Sequence, residues 1–310
     1  MAPGAAVQPI PGRPVAQSFL LSLRPGQWTK NLFVFAGLLF GNAPLGRSLF
    51  DARSLGHATA AFAIFCGLSG VVYLVNDVMD READRRHPLK AQRPIASGAL
   101  SVPVAVAGAF VIGGAALAAS AWLGRWSLIV AASYLGLQIL YSVVLKHIVI
   151  LDVLSISFGF VLRAVAGAVT VEVDISHWLL ICTTLLALFI ALAKRRHEIV
   201  LLADQAMTHR PILREYSPYL LDQMIGVVTA STLIAYIFYT ISPETQQKFG
   251  TPLLELTIPF PLYGIFRYLY LVHQREGGGS PADLLVTDRP LLLCVALWAL
   301  AVALILYRPL

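Results

Sequence analysis

The run SLGHATAAFAIFCGLSGVVYLVN (residues 54–76), followed at once by DVMDREAD (residues 77–84), decides the fold. The first part carries no Asp, Glu, Lys or Arg. A helix needs roughly 20 mainly apolar residues to cross the hydrocarbon core of a bilayer, so this run is long enough for one crossing. The second part turns acidic as soon as the apolar run stops. Similar apolar blocks recur at 102–124, 127–145, 177–193, 224–241 and 290–307. They are continuous rather than alternating, which argues against a β-barrel. They are also too many to be the buried core helices of a soluble domain. Of the 310 residues 57% are hydrophobic and only 13% charged, about half the usual share of roughly 25%, and the mean hydropathy is +0.73.

The sequence therefore predicts an all-α protein, an integral membrane bundle of about nine transmembrane helices. The expected spans are 28–46, 54–79, 101–123, 126–145, 148–171, 176–196, 219–241, 251–273 and 290–308. An amphipathic stretch at about 15–27 is expected on the membrane surface. Pro259 and Pro261 predict a kink in the eighth span, because neighbouring helices can satisfy the carbonyls a proline frees. Residues 1–17, rich in Pro, Gly and Ala, lack the basic start and apolar run of a secretory signal and are expected to form a short disordered cytoplasmic tail. Residues 18–310 are expected to form one transmembrane domain. Cys66, Cys182 and Cys294 each fall in an apolar block and read as small packing residues.

Charge sets the orientation. Arg13, Arg24 and Lys30 precede or open the first span; Arg81, Arg85, Arg86, Lys90 and Arg93 follow the second. Lys146 follows the fourth, and Lys194, Arg195, Arg196, Arg210 and Arg214 surround the connection from the sixth to the seventh. The intervening loops are poorer in Lys and Arg. Basic loops favour the cytoplasmic side, which places the N-terminus inside and the site of an inner or plasma membrane protein toward the cytoplasm. The net charge of +6 follows from this bias and requires no nucleic-acid partner. Basic loops also suit anionic lipid head groups.

In the acidic stretch, Asn76, Asp80 and Asp84 recur every fourth residue and share one face if the helix continues; Asp77 flanks it. A column of hard oxygens suits Mg²⁺, which one or two carboxylates and substrate phosphates usually hold. The alternative is a solvated helix end, but polar groups entering a membrane helix are expensive and usually functional. Arg85, Arg86, Lys90 and Arg93 come next, so acids and bases together can grip a metal-bound diphosphate. Further basic stations on the same side are Arg24 to Asn31, Tyr141 to Lys146 with Asp152 beyond, and Lys194 to Glu198; snorkelling to the interface is the alternative for Lys146 and residues 194–196. Arg163 lies deep in the fifth span, where a lone charge is costly; a structural ion pair, with Asp152 as one candidate, is the plain reading.

The acidic stretch, placed after the second of nine helices, resembles the first aspartate-rich motif of the UbiA superfamily of intramembrane prenyltransferases. That resemblance implies a UbiA-like fold over 18–310 and Mg²⁺-dependent binding of a diphosphate. It breaks at the second acidic motif: the corresponding place holds Lys194-Arg195-Arg196-His197-Glu198, with one carboxylate. The variant is similar to the decaprenyl-phosphate phosphoribosyltransferase branch. The matching stretches are Arg24-Pro25-x-Gln27-Trp28-x-Lys30-Asn31, Asp84 to Gly98, Tyr141-Ser142-x-x-Leu145-Lys146, Asp152-Val153, residues 194–198, Leu213-Arg214-Glu215-Tyr216 and Asp288-Arg289-Pro290.

The resemblance implies phosphoribosyl pyrophosphate as donor, a polyprenyl (decaprenyl) phosphate as acceptor, Mg²⁺ as cofactor and a role in cell-wall arabinan precursor synthesis. It implies catalytic roles for Asp77, Asp80 and Asp84 and metal binding by Asn76, Asp80 and Asp84. Substrate binding falls to Lys30, Arg85, Lys90, Arg93, Tyr141, Lys146, Asp152, Lys194, Arg195 and Glu198. A homo-oligomer is compatible with the sequence. Two other readings stand beside this one. One is an aromatic prenyltransferase using a prenyl diphosphate, which the basic 194–198 segment disfavours. The other is a transporter, which the lack of paired interrupted helices and the position of the acids at the membrane surface disfavour.

Overall fold

The structure, a computed structural model, describes residues 14–40, 51–86, 90–173, 177–209, 211–274, 284 and 287–306, and no strand occurs among them. The α-helices, in order, are α1 (Val15–Ser22), α2 (Ala36–Phe40), α3 (Ala52–Met79), α4 (Arg81–Arg85), α5 (Pro94–Ser97), α6 (Val102–Leu123) and α7 (Arg125–Val143). Then follow α8 (Leu151–Thr170), α9 (His177–His209), α10 (Pro218–Ile241), α11 (Pro243–Phe249), α12 (Pro259–Gln274) and α13 (Arg289–Leu306). Short 3₁₀ segments at Pro25–Phe35, Lys90–Gln92, Leu145–His147, Pro211–Glu215 and Leu253–Thr257 join some of them.

Helix starts follow local chemistry. Asp51 accepts from the Ser54 N–H at 3.1 Å to open α3, and Ser217 accepts from the Leu220 N–H at 3.1 Å to open α10. These oxygens satisfy amide groups that have no partner inside the helix. Helices α5, α6, α10 and α11 place Pro in their first turn, where its missing N–H costs nothing.

Among the described residues six helices, α3, α6, α7, α8, α10 and α13, are long and apolar enough to cross a membrane. Of the other expected spans, α9 has 33 residues and α12 has 16. The first, 28–46, differs from expectation: it starts inside the 3₁₀ segment Pro25–Phe35 and becomes α-helical only at Ala36, while 41–50 lies outside the described residues. The eighth differs too. Pro259 opens α12 after a separate 3₁₀ turn, so the prolines start a helix instead of kinking one. Of the stretch expected to be amphipathic, about 15–27, Val15–Ser22 is helical as α1, and the 3₁₀ segment begins at Pro25. Of the expected disordered tail, residues 1–13 lie outside the described residues and Val15 already begins α1.

Two compact units form, Met1–Leu145 with Leu162–Asp174, and Lys146–Val161 with Ile175–Leu310. In the first, Val34, Phe65, Leu68, Ala131 and Tyr134 form one cluster and Leu23, Val71, Leu74, Ile95 and Leu100 another. The segment 25–35 and the start of α2 approach α8 so closely that a Cβ on Gly167 would overlap the Val34 carbonyl oxygen, and one on Gly37 would sit 2.5 Å from the Ala168 nitrogen. Only glycine permits this backbone contact. In the second unit, Val153, Phe189, Leu192, Ile212, Leu221 and Tyr268 pack together. Large apolar side chains such as Phe110 (78% exposed) and Trp122 (83%) point outward, which in a membrane protein is lipid contact. Trp122 and Trp126 flank the α6–α7 turn, where Arg125 stacks on the Trp126 ring at 5.0 Å, as expected of an interfacial aromatic belt.

Candidate active site

The acidic stretch belongs to the first unit. Helix α3 ends at Met79, yet the i→i−4 bonding continues: Asp80 N donates to Asn76 O at 2.9 Å and Asp84 N to Asp80 O at 2.8 Å. The backbone thus keeps Asn76, Asp80 and Asp84 in one register. Asp77 is 2% exposed and Asp84 4%. Buried carboxylates need partners, and two arginines supply them. Arg93 Nη1 lies 3.0 Å from Asp77 Oδ1 and 2.6 Å from Asp84 Oδ2. Arg24 Nη2 pairs closely with the same Asp77 oxygen, and its guanidinium lies 4.7 Å from the centre of the Tyr73 ring.

Arg93 is placed by α5, which it immediately precedes. Helix α5 is tied to α4 by Arg85, whose Nε donates to Ala96 O at 3.0 Å while its Nη1 meets Glu82 at 3.0 Å. Asp80, Lys30 and Lys90 are half-buried, the lysines on the segments Pro25–Phe35 and Lys90–Gln92. Tyr141 is half-buried in the last turn of α7.

No cluster of three or more His, Cys, Asp or Glu side chains suited to a metal gathers among the described residues. Mg²⁺ does not require one, since one or two carboxylates plus phosphate oxygens suffice. Arg93 Nη1 marks a point on which oxygens of Asp77 and Asp84 already converge, and these are hard donors of the kind Mg²⁺ takes. The residues present fit the ion.

Deeper in the same unit, Arg163 Nε donates to Asn31 Oδ1 and its Nη2 to the Tyr134 hydroxyl, both at 2.7 Å. Ser69 Oγ lies 3.2 Å from both of those acceptors. The suggested pairing of Arg163 with Asp152 is incorrect. Eleven residues of α8 separate the two, about 16 Å along the axis at ~1.5 Å per residue.

The basic station of α9 belongs to the second unit. Consecutive helical residues point about 100° apart, so Lys194, Arg195 and Arg196 cannot share a face. Lys194 is exposed, with Glu198 Oε1 at 4.0 Å. Arg195 is 2% exposed and turned inward: its Nε donates to Asp152 Oδ2 at 2.9 Å and its Nη1 to Glu198 Oε2 at 2.8 Å. Asp152, 0% exposed, also accepts from the Tyr216 hydroxyl at 2.7 Å. Arg196 turns to Asp222 of α10, which also lies 3.3 Å from His273 Nε2 of α12. Lys146 is half-buried in the turn Leu145–His147.

The structure thus brings Asp77, Asp84 and Arg93 together in one unit, and Asp152, Arg195 and Glu198 in the other. Arg24 and Tyr216 were not among the expected site residues. Both stood in stretches that matched the resembled branch, which was the available signal. Their partners are 53 and 64 positions away, a separation that no helical periodicity reveals.

A sequence profile of the UbiA prenyltransferase family matches residues 31–285. The decaprenyl-phosphate phosphoribosyltransferase of Corynebacterium glutamicum is 31% identical over 300 residues, covering 96% of this chain and 89% of that protein. The protein of the same name from Mycobacterium tuberculosis (strain H37Rv) is 33% identical over 282 residues, covering 89% and 90%. Among solved structures, a UbiA homolog from Archaeoglobus fulgidus bound to GPP and Mg²⁺ superposes with a TM-score of 0.72 at 19% identity, covering 93% of this chain and 99% of that one.

Proposed function

Because this chain belongs to the UbiA prenyltransferase family, we propose that it transfers the 5-phosphoribosyl group of phosphoribosyl pyrophosphate to a polyprenyl phosphate such as decaprenyl phosphate. One observation carries the reading: relatives of that activity by name are 31–33% identical across nearly the whole chain. The segment 194–198 supports it through Lys194, the one of its basic residues that stays exposed, because a donor with a phosphate at each end and a phosphorylated acceptor call for a cation beyond those that meet one diphosphate.

In the reaction, an oxygen of the lipid phosphate forms a bond to the anomeric carbon. The bond from that carbon to the pyrophosphate oxygen breaks, and its electron pair leaves with pyrophosphate. A phosphate monoester is already ionised, so no general base is needed. Asp77, Asp80 and Asp84, with Asn76, would hold Mg²⁺, which when bound supplies Lewis-acid neutralisation of the leaving diphosphate. Lys30, Lys90 and Arg93 place fixed positive charge toward the diphosphate, where charge accumulates in the transition state. Arg85 holds the α4–α5 turn that presents Arg93. Tyr141, Lys146 and Lys194 bind the remaining phosphate groups. Asp152 and Glu198 orient Arg195. The N-terminus and the basic loops lie in the cytoplasm of a bacterium, the side from which a water-soluble donor arrives, and the polyprenyl tail stays in the bilayer. The product is a precursor for cell-wall arabinan.

Incubating the purified protein with labelled phosphoribosyl pyrophosphate and decaprenyl phosphate is expected to give a labelled lipid. Geranylgeranyl diphosphate with 4-hydroxybenzoate is expected to give nothing. The reverse pattern would replace this reading with aromatic prenyl transfer. In the same assay, a chelator is expected to lower transfer to background and added Mg²⁺ to restore it; full activity in excess chelator would remove the metal from the scheme.

A further inference from the structure

Ile150, the residue before α8, has φ +69°. The left-handed region suits glycine; in a β-branched residue it is an outlier, held only when its surroundings impose it. Burial of its side chain does not impose it, because Ile150 is 47% exposed. A hydrogen bond does: the Ile150 N–H donates to the Tyr216 hydroxyl at 2.7 Å. That amide is one a helix start leaves without an intrahelical partner, usually satisfied by a short polar side chain close by. Here the partner comes from 66 residues away.

Tyr216 is fixed in turn. A carboxylate only accepts, so the hydroxyl hydrogen must point to Asp152 Oδ1, 2.7 Å away, and the oxygen lone pair is left for Ile150. Burial, reinforced by that bond, pushes the Tyr216 hydroxyl above the ordinary phenol range, so it stays protonated and able to donate. Asp152 is itself held by Arg195, and Arg195 by Glu198. A chain of hydrogen bonds therefore runs from α9 to a strained backbone position. Four residues before that position, in the turn Leu145–His147, stands Lys146.

We propose that Tyr216 is a positioning residue for the phosphoribosyl donor. By holding Ile150 in its left-handed conformation it sets the path of the chain from the 145–147 turn into α8, and so the place of the Lys146 ammonium. This inference rests on the assignment of Lys146 to substrate phosphate binding.

The test compares wild type, Tyr216→Phe, Ile150→Gly and the double variant by two readouts. The first is the KM for phosphoribosyl pyrophosphate at saturating lipid. Tyr216→Phe is expected to raise it about tenfold with kcat within about twofold. Ile150→Gly is expected to leave it near wild type, and the double variant to recover most of the loss, because glycine adopts this φ without being held. The second readout needs no substrate: the rate at which an amine-directed reagent modifies Lys146, followed by mass spectrometry. Tyr216→Phe is expected to change it severalfold and the double variant to restore it. A Tyr216→Phe protein with wild-type Lys146 reactivity, or a double variant no better than Tyr216→Phe, overturns the proposal. A wild type that makes no labelled lipid while Lys146 reactivity follows the expected pattern overturns the phosphoribosyl reading and leaves the positioning of Lys146 standing.

Discussion

Asp84→Ala and Asp80→Ala are each expected to lower phosphoribosyl transfer by about a thousandfold or more, the upper range for loss of one group that stabilises transition-state charge. The structure supplies the reason for Asp84. It is buried, it shares the Arg93 guanidinium with Asp77, and its backbone continues the register that begins at Asn76. Removing the carboxylate takes away a hard oxygen and frees Arg93 from one of its two acidic partners. Asp80 is half-buried between the two other members of that register. Labelled-lipid formation in detergent measures the loss, and a monodisperse elution profile shows that the protein still folds. Near-normal turnover by either variant would remove the acidic stretch from the chemistry.

Arg195→Met is expected to destabilise the protein by about 3–5 kcal/mol, the usual result of stripping one partner from a buried ion pair. Asp152, completely buried, would lose the guanidinium that now faces it at 2.9 Å, leaving a buried carboxyl group without its cationic partner. Adding Asp152→Asn should recover much of the loss, because the amide that replaces the carboxylate carries no charge and its oxygen still accepts from Tyr216. Thermal melting of the two single variants and the double variant in detergent gives the cycle. If the double variant is as unstable as the sum of the singles, the pair is not coupled and does not account for the stability that Arg195 contributes.

Features whose cause is local were legible in the sequence. The helix over 54–79 was legible because an uncharged run of membrane-crossing length ends in polar residues, and α3 covers Ala52–Met79. The every-fourth-residue spacing of Asn76, Asp80 and Asp84 was legible because helical register is a property of neighbours. What a side chain turns toward was not. Lys194, Arg195 and Arg196 read as one basic patch, whereas helical geometry sends one to the surface and the next two to Asp152 and Asp222. Pro259 read as a kink because the run around it is apolar, but proline at a first helical turn lacks nothing. The 3₁₀ winding of 25–35 left no mark in composition. It follows from packing, with Asn31 and Val34, one turn apart, buried on one side.

Arg163 bears on how the chain is made. A guanidinium near the middle of a helix costs roughly 2.5–3.5 kcal/mol when the segment is handed to the bilayer on its own. Helix α8 enters late, however, after Asn31 and Tyr134 have been synthesised, and these are groups to which Arg163 donates at 2.7 Å. The order of segments along the polypeptide thus doubles as an order of biogenesis. The intramembrane charge emerges from the ribosome only once earlier helices can offer it hydrogen bonds.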